Sequence, residues 1–226
     1  EQQVADIGIL GENIVFEKNR DVEILEQLGF AQCRLSLAIP KEESYTGPGW
    51  FMNKKVATSY PRLLNLYLAE NNLTASTEEI SGSVEIAPGI GLAEAVCDIV
   101  SSGSTLMTNG LKEVEVLLKS QAVIIASRNL DQDKKNILEK LLFRIRSVRN
   151  ARENKYILLN APLESLHEIC KILPGMKSPT ILPLEEKGWC SIHSVVKEDE
   201  FWERIDQLRN AGAQGILVIP IEKMIL

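Results

Sequence analysis

An α/β fold built as two lobes, followed by a separate α+β domain, is what this sequence predicts, and three observations predict it. Apolar runs of strand length alternate with helical periodicity over residues 4–127, the pattern of layered α/β units. The run Asp98-Ile99-Val100 breaks into Ser101-Ser102-Gly103-Ser104-Thr105 ahead of Leu106, a strand feeding a small-residue turn and then a helix. From Tyr156 onward the order becomes β-α-β-β-α-β, which is ferredoxin-like.

The elements follow in order. Residues 4–10 form an apolar strand carrying Asp6 and closed by Gly11, and residues 12–27 read as helix plus loop. A strand over 33–39 stops at Pro40, and a loop rich in Glu, Ser, Gly and Pro covers 41–49. After a strand at 54–58, Ser59-Tyr60-Pro61 starts a helix, with hydroxyls for capping and proline in the first turn. Leu63, Leu64, Tyr67 and Leu68 give it an apolar face. Residues 84–87 read as a strand edge and 92–97 as a helix leading into Asp98. Residues 106–111 form a short helix that Asn109-Gly110 stops. This alternation implies a parallel, doubly wound sheet with its ligand site beyond the strand carboxyl ends.

Two strands, 113–118 and 122–127, are expected to return to the first lobe, so the chain crosses twice between lobes. Asp131 or Asp133 then caps a long helix with the stripe Ile137, Leu138, Leu141, Leu142, Ile145 and Val148. Its other face is basic but interrupted by Asp133, Glu139 and Glu153, which suits a solvated or subunit-facing connector better than a nucleic-acid helix. The expected division is therefore 1–30 plus 111–150 for lobe I with the connecting helix, 31–110 for lobe II, and 154–226 for the ferredoxin-like domain. Ala5-Asp6-Ile7-Gly8-Ile9-Leu10-Gly11 and Cys97-Asp98-Ile99-Val100-Ser101-Ser102-Gly103 share an outline, either a faint duplication or chance.

Composition narrows the function. The 226 residues carry 45% hydrophobic and 25% charged residues, as globular proteins do, with a net charge of −6. An acidic balance argues against broad nucleic-acid or anionic-membrane binding. No apolar run approaches the length of a membrane span and no signal peptide is visible, so the expected location is cytoplasmic. Cys33, Cys97, Cys170 and Cys190 have no C-x-x-C pairing and read as free thiols. With His167 and His193 the only histidines, a zinc cluster or Ser–His–Asp triad has little material, and both read as structural.

The 101–105 stretch has two readings on spacing alone, a phosphate-binding turn or a Ser/Gly-rich connector. Its residues, Cys97-Asp98-Ile99-Val100-Ser101-Ser102-Gly103-Ser104-Thr105-Leu106, resemble the phosphoribosyl-pyrophosphate loop of phosphoribosyltransferases. With Gly82-Ser83-Val84-Glu85-Ile86-Ala87-Pro88 before it and Asn109-Gly110-Leu111 after it, the stretch resembles ATP phosphoribosyltransferase. Matches at Asp6-Ile7-Gly8-Ile9-Leu10-Gly11-Glu12-Asn13, Cys33-Arg34-Leu35-Ser36-Leu37-Ala38, Ala57-Thr58-Ser59-Tyr60-Pro61, Ser178-Pro179-Thr180-Ile181 and Pro220-Ile221-Glu222-Lys223-Met224 run through the chain in order. The resemblance is to the long form, which ends in a histidine-binding regulatory domain.

The resemblance implies a periplasmic-binding-protein-like catalytic region, Mg²⁺ as cofactor, a hexamer, and feedback inhibition by histidine. The implied reaction joins N1 of ATP adenine to C1 of phosphoribosyl pyrophosphate, the first step of histidine biosynthesis. Ser101, Ser102, Gly103, Ser104 and Thr105 would hold the 5-phosphate, and Asp98 the ribose hydroxyls. Glu85 is the second catalytic candidate, a surface glutamate being the alternative. Arg34, Thr58 and Tyr60 fall on the ATP side, Arg34 pairing phosphates and Tyr60 stacking on adenine, with packing or salt-bridge roles as the alternative. Asn160, Thr180, Val195 and Gly215 correspond to the histidine pocket. The Mg²⁺ would ride on pyrophosphate, with no metal-ligating residue assigned. A family member is expected to carry an earlier strand and helix with Lys, Arg and Gly residues, so lobe I is expected to be incomplete and the activity of this chain stays open. The other class of reading is a non-catalytic fragment or regulatory subunit that binds phosphoribosyl pyrophosphate or histidine.

Overall fold

A computed structural model describes residues 5–226, and the chain divides into two compact units, Glu1–Asp131 and Gln132–Leu226. Val4 and the three residues before it lie outside the described residues.

Unit 1 contains two sheets. Strand β1 (Ile7–Gly11) runs into helix α1 (Glu12–Lys18), which Asn19 ends in the left-handed conformation at φ 45°. Strand β2 (Val22–Gln27) follows where the sequence suggested helix and loop. Strand β3 (Cys33–Pro40), β4 (Lys55–Thr58), helix α2 (Pro61–Glu70) and β5 (Ser76–Glu79) come next. Then come β6 (Ala95–Val100), helix α3 (Ser104–Thr108), β7 (Leu111–Ser120) and β8 (Ala122–Ser127). One sheet is ordered β1-β8-β2, the other β5-β4-β6-β3-β7. The chain therefore leaves the first sheet after β2 and re-enters it at β8. These two crossings are those of the two-lobed class expected.

Several local expectations are overturned. The larger sheet is mixed rather than parallel: β4 lies parallel to β5 and β6, while β3 is antiparallel to both β6 and β7. Residues 113–118, expected in the first lobe, lie in β7 and pair with β3. Residues 95–97 are strand, not helix. Val96 and Cys97 are both fully buried although they point to opposite faces, and a strand covered on both sides reads as an uninterrupted apolar run with no period to betray it. Residues Val84–Ile86 form a 3-10 turn rather than a strand, entered through Ser83 at φ 51°. Strand β5, with the polar sequence STEE at the sheet edge, offered no apolar signal.

One contact in unit 1 has a stability consequence. The Glu17 carboxylate, at the end of α1, accepts the backbone N–H groups of Arg62 and Leu63 at 3.0 Å each. It thereby caps the start of α2, whose own N-cap residue makes no side-chain cap bond. Glu17 is nearly fully buried, so both amides would be left without a partner if it were truncated. Glu17→Ala is expected to cost about 1–2 kcal/mol, read as a lower urea midpoint, with Glu17→Gln closer to the parent.

Unit 2 begins with helix α4 (Gln132–Glu153), which clusters here rather than with the first lobe. Of its expected apolar stripe Leu138 and Leu142 are buried, while Ile137, Leu141 and Val148 are exposed. Then follow β9 (Asn154–Pro162), α5 (Leu166–Ile172), β10 (Thr180–Pro183), β11 (Trp189–Lys197), α6 (Glu198–Asn210) and β12 (Gln214–Pro220). The sheet is antiparallel in the order β10-β11-β9-β12. That order is the ferredoxin-like topology, as expected. Its core joins Ile157, Leu159, Ile192 and Cys190 of the sheet to Ile169, Leu173, Phe201 and Leu208 of the helices.

Candidate functional site

Strand directions bring the candidate residues together. Because β4 and β6 are parallel, the residues after Thr58 and after Val100 emerge at one edge of the sheet. Because β3 runs antiparallel to β6, its beginning, Cys33 and Arg34, reaches the same edge, with Arg34 paired opposite Val100. Three separate stretches thus converge there.

The turn leaving β6 is open to solvent. Ser101, Ser102, Ser104 and Thr105 are exposed, Gly103 is half-buried, and only Leu106 anchors the segment in the core. Gly103 sits at φ 81° as the N-cap of α3 and makes no side-chain cap bond. A side chain there would be strained whatever the space around it. The Ser102 and Ser104 hydroxyls lie 2.9 Å apart, and the Ser104 N–H donates to the Ser102 hydroxyl at 3.4 Å. Hydroxyls and first-turn amides thus share one small surface, a set of donors suited to an anion.

Asp98, two residues before the strand ends, is half-buried opposite Ser36, and its Oδ1 accepts the N–H of Ile99 at 2.8 Å. Burial, and to a lesser degree the negative charge of Glu85, pushes its carboxyl above the usual carboxylate range. The two acids named from the sequence are therefore close enough to feel one another, although Glu85 sits on a 3-10 turn rather than a strand.

The nucleotide-side candidates have different surroundings. Thr58 is fully buried; its hydroxyl donates to the Cys97 carbonyl at 2.7 Å and accepts the Tyr60 N–H at 2.9 Å. Tyr60 is half-buried and its hydroxyl accepts a hydrogen bond from Asn13 Nδ2 at 2.9 Å. Burial raises its pKa, with Asp98 among the smaller causes. The Arg34 guanidinium grips Glu113 through Nε and Nη2 and donates from Nη1 to the Ser101 carbonyl at 3.1 Å. Arg34 and Ser101 also line a cavity of about 610 Å³, together with Glu12, Gln27, Lys119 and Gln121.

Sequence reasoning missed Asn13, Ser36 and Glu113. The signal for Glu113 was an acidic residue alternating with apolar ones in Leu111-Lys112-Glu113-Val114-Glu115-Val116, on a strand whose partner carries Arg34. Among the described residues no group of three or more His, Cys, Asp or Glu could cage a metal ion. All four cysteines are free.

In unit 2, Asn160 pairs opposite Ser191, Thr180 opposite His193 and Val195 opposite Tyr156. A Cβ on Gly215 would lie 3.6 Å from Asn160 Nδ2, so these two are neighbours. Asn160 and Val195 lie four residues apart along the sheet, roughly 14 Å at strand spacing. Thr180 pairs at His193, midway between these two positions along β11. His193 Nδ1 lies 2.7 Å from the Tyr156 hydroxyl and Nε2 3.1 Å from that of Ser191, so both ring nitrogens have partners within the sheet.

Fold and site together define a two-lobed α/β protein with an exposed, hydroxyl-lined turn after β6, joined to a ferredoxin-like domain. The family model described as ATP phosphoribosyltransferase matches residues 1–147, and the one described as HisG, C-terminal domain, matches residues 151–223. The chain belongs to the ATP phosphoribosyltransferase family, in its long form. It is 59% identical over 223 residues to the ATP phosphoribosyltransferase of Azobacteroides pseudotrichonymphae, covering 99% of this chain and 79% of that one. It is 56% identical, with the same coverage, to that of Bacteroides thetaiotaomicron. Among solved structures, the ATP phosphoribosyl transferase (HisG:HisZ) complex from Thermotoga maritima shares the fold, with a TM-score of 0.57 at 24% identity over 64% of this chain and 70% of that chain. No helix among the described residues is long and apolar enough to cross a membrane.

Proposed function

We propose that this chain transfers the phosphoribosyl group of phosphoribosyl pyrophosphate to N1 of the adenine of ATP, releasing pyrophosphate, as the first step of histidine biosynthesis. The observation that carries the reading is the exposed 101–105 turn with Asp98 just behind it, in a chain of this family.

Breaking the C1–O bond leaves positive charge on the ribose ring while a large anion departs. The site has to hold the two reactants in line and stabilise that charge. The hydroxyls of Ser101, Ser102, Ser104 and Thr105 and the amides beside Gly103 hold the 5-phosphate. Asp98 accepts hydrogen bonds from the ribose hydroxyls and, ionised, lies close to the developing positive charge. Glu85 adds a second carboxylate on the same side. Tyr60, steadied by Asn13, offers its ring to the adenine, and Thr58 contributes by tying β4 to β6. The Asp98 and Glu85 carboxylates would be the residues to hold a Mg²⁺ brought in with the substrate, and such an ion would supply neutralisation of leaving-group charge.

The pH dependence follows from Asp98. Its carboxyl titrates above the usual range, and the ionised form is the one used, so activity is lost as pH falls through that raised value. The acid limb of kcat/KM for phosphoribosyl pyrophosphate is expected above the range of an ordinary aspartate. Glu85→Gln removes a like charge and should shift the limb toward lower pH.

We keep a division into lobe I, lobe II and regulatory domain, with β7 moved to lobe II and α4 moved to the second unit. Unit 2 binds histidine as feedback inhibitor, and because Asn160 and Val195 stand far apart on one sheet face, the inhibitor site draws on neighbouring copies in a hexamer. The working location is the cytoplasm. The reading is tested by mixing the chain with ATP, phosphoribosyl pyrophosphate and Mg²⁺ and following product absorbance. Gly103→Asp is expected to abolish the signal, since it places a carboxylate where the phosphate docks and a side chain at φ 81°. Full activity in that variant contradicts the assignment of the turn.

A further inference from the structure

The 101–105 turn bonds to itself through the exposed Ser102 and Ser104, and its N-cap is a glycine with no side chain to offer. Contacts from the two ends of β3 tie down its start and the end of the helix that follows it. At one end Arg34 Nη1 donates to the Ser101 carbonyl at 3.1 Å. At the other, just past the strand, Lys41 Nζ donates to the Met107 carbonyl at 2.9 Å and the Lys41 N–H to Gly110 at 2.9 Å.

Arg34 is in turn held by Glu113. Its Nε and Nη2 engage the two carboxylate oxygens as a fork, and the buried Ser36 hydroxyl donates to Glu113 Oε1 at 2.7 Å. A bidentate pair of this kind fixes the guanidinium plane as well as its position. It also cancels the charge that would otherwise draw a phosphate to Arg34.

We propose that Glu113 and Arg34 are positioning residues for phosphoribosyl transfer: Glu113 orients the guanidinium, and the guanidinium holds the Ser101 peptide so that the turn presents its donors to the 5-phosphate. In a planar trans peptide the C=O and the next N–H point in opposite directions. Fixing the Ser101 carbonyl toward Arg34 therefore fixes the Ser102 N–H on the other side. Without the fork this peptide is free to rotate, and the donors are presented only part of the time. This assignment deepens the proposed function and rests on it for the identity of the phosphate; it replaces a direct contact of Arg34 with ATP.

The test uses the full chain as parent, Glu113→Gln, Arg34→Lys and the double variant. Hydrogen exchange of the unliganded protein is read for peptides covering 101–106, beside peptides from β6 and α2 as controls. Each single variant is expected to exchange about tenfold faster in the turn only, and the double no faster than either single, because the two residues act in series. In turnover assays KM for phosphoribosyl pyrophosphate should rise by about the same factor while KM for ATP stays put. Unchanged exchange, additive effects, or a rise in KM for ATP alone overturns the proposal. If Glu113→Gln does not fold, Arg34→Lys decides by the same readings. A parent chain that neither turns over nor binds phosphoribosyl pyrophosphate refutes the proposed function, whereas the exchange result still judges the tether.

Discussion

Asp98→Asn is expected to fold at least as well as the parent and to lose about a hundredfold or more in turnover, the scale of removing one charge-stabilising group from a reacting centre. The two halves of this expectation have one cause. Burial penalises the ionised carboxylate and raises its pKa in the folded state. A group raised in this way favours the native state fully below its unfolded pKa, and that favour is lost as pH rises through the folded value. At neutral pH the charge therefore costs stability, and asparagine, nearly the same shape, removes the cost while still accepting the Ile99 N–H. What it removes with the cost is the negative charge that the proposed reaction places beside the ribose. Thermal unfolding alongside product absorbance checks both halves. A variant that unfolds early would make its loss of activity uninformative about chemistry, and one with parental turnover would remove Asp98 from the reaction.

The second large effect lies in unit 2. Phe201→Ala is expected to cost about 3–5 kcal/mol, the range for a fully buried aromatic. Phe201 has no exposed surface and packs among Ile157, Leu159, Ile192, Ile169 and Leu208, so truncation opens a cavity lined by both layers of the domain. Hydrogen exchange in β9 and β11 should rise first, since these central strands lean on that cluster. Unchanged protection there would mean that α6 is not what holds the sheet.

The sequence made the C-terminal domain almost fully legible. Its central strands carry enough apolar residues on the covered face to be read, as with Cys190, Ile192 and Val196 against the helices, although Ser194 shares that face and Ser191 on the other is also buried. Unit 1 was harder for the opposite reason. β6 is covered on both faces, so its apolar run lost the period that marks a strand, and β5 is a polar edge held mainly by backbone pairing. The antiparallel placement of β3 and β7 had no local signature, because pairing partners are set by topology rather than by any one segment. Asp98 and the hydroxyl turn stood out as candidates because they are contiguous, and the structure leaves the turn exposed with Asp98 half-buried behind it. Glu113, Ser36 and Asn13 could not, since each acts on a residue distant in sequence. Thr58 misled because a hydroxyl beside a strand end looks the same whether it faces a ligand or, as here, closes a backbone bond in the core.

The claim on which everything rests is that the turn after β6 receives the 5-phosphate of a phosphoribosyl group. An isotope-labelled chain titrated with phosphoribosyl pyrophosphate and Mg²⁺, followed by its amide signals, tests it directly. Saturable shifts at Ser102, Gly103, Ser104 and Thr105, lost in Gly103→Asp, are the expected result. Ligand-dependent shifts elsewhere with these four amides unmoved would contradict it.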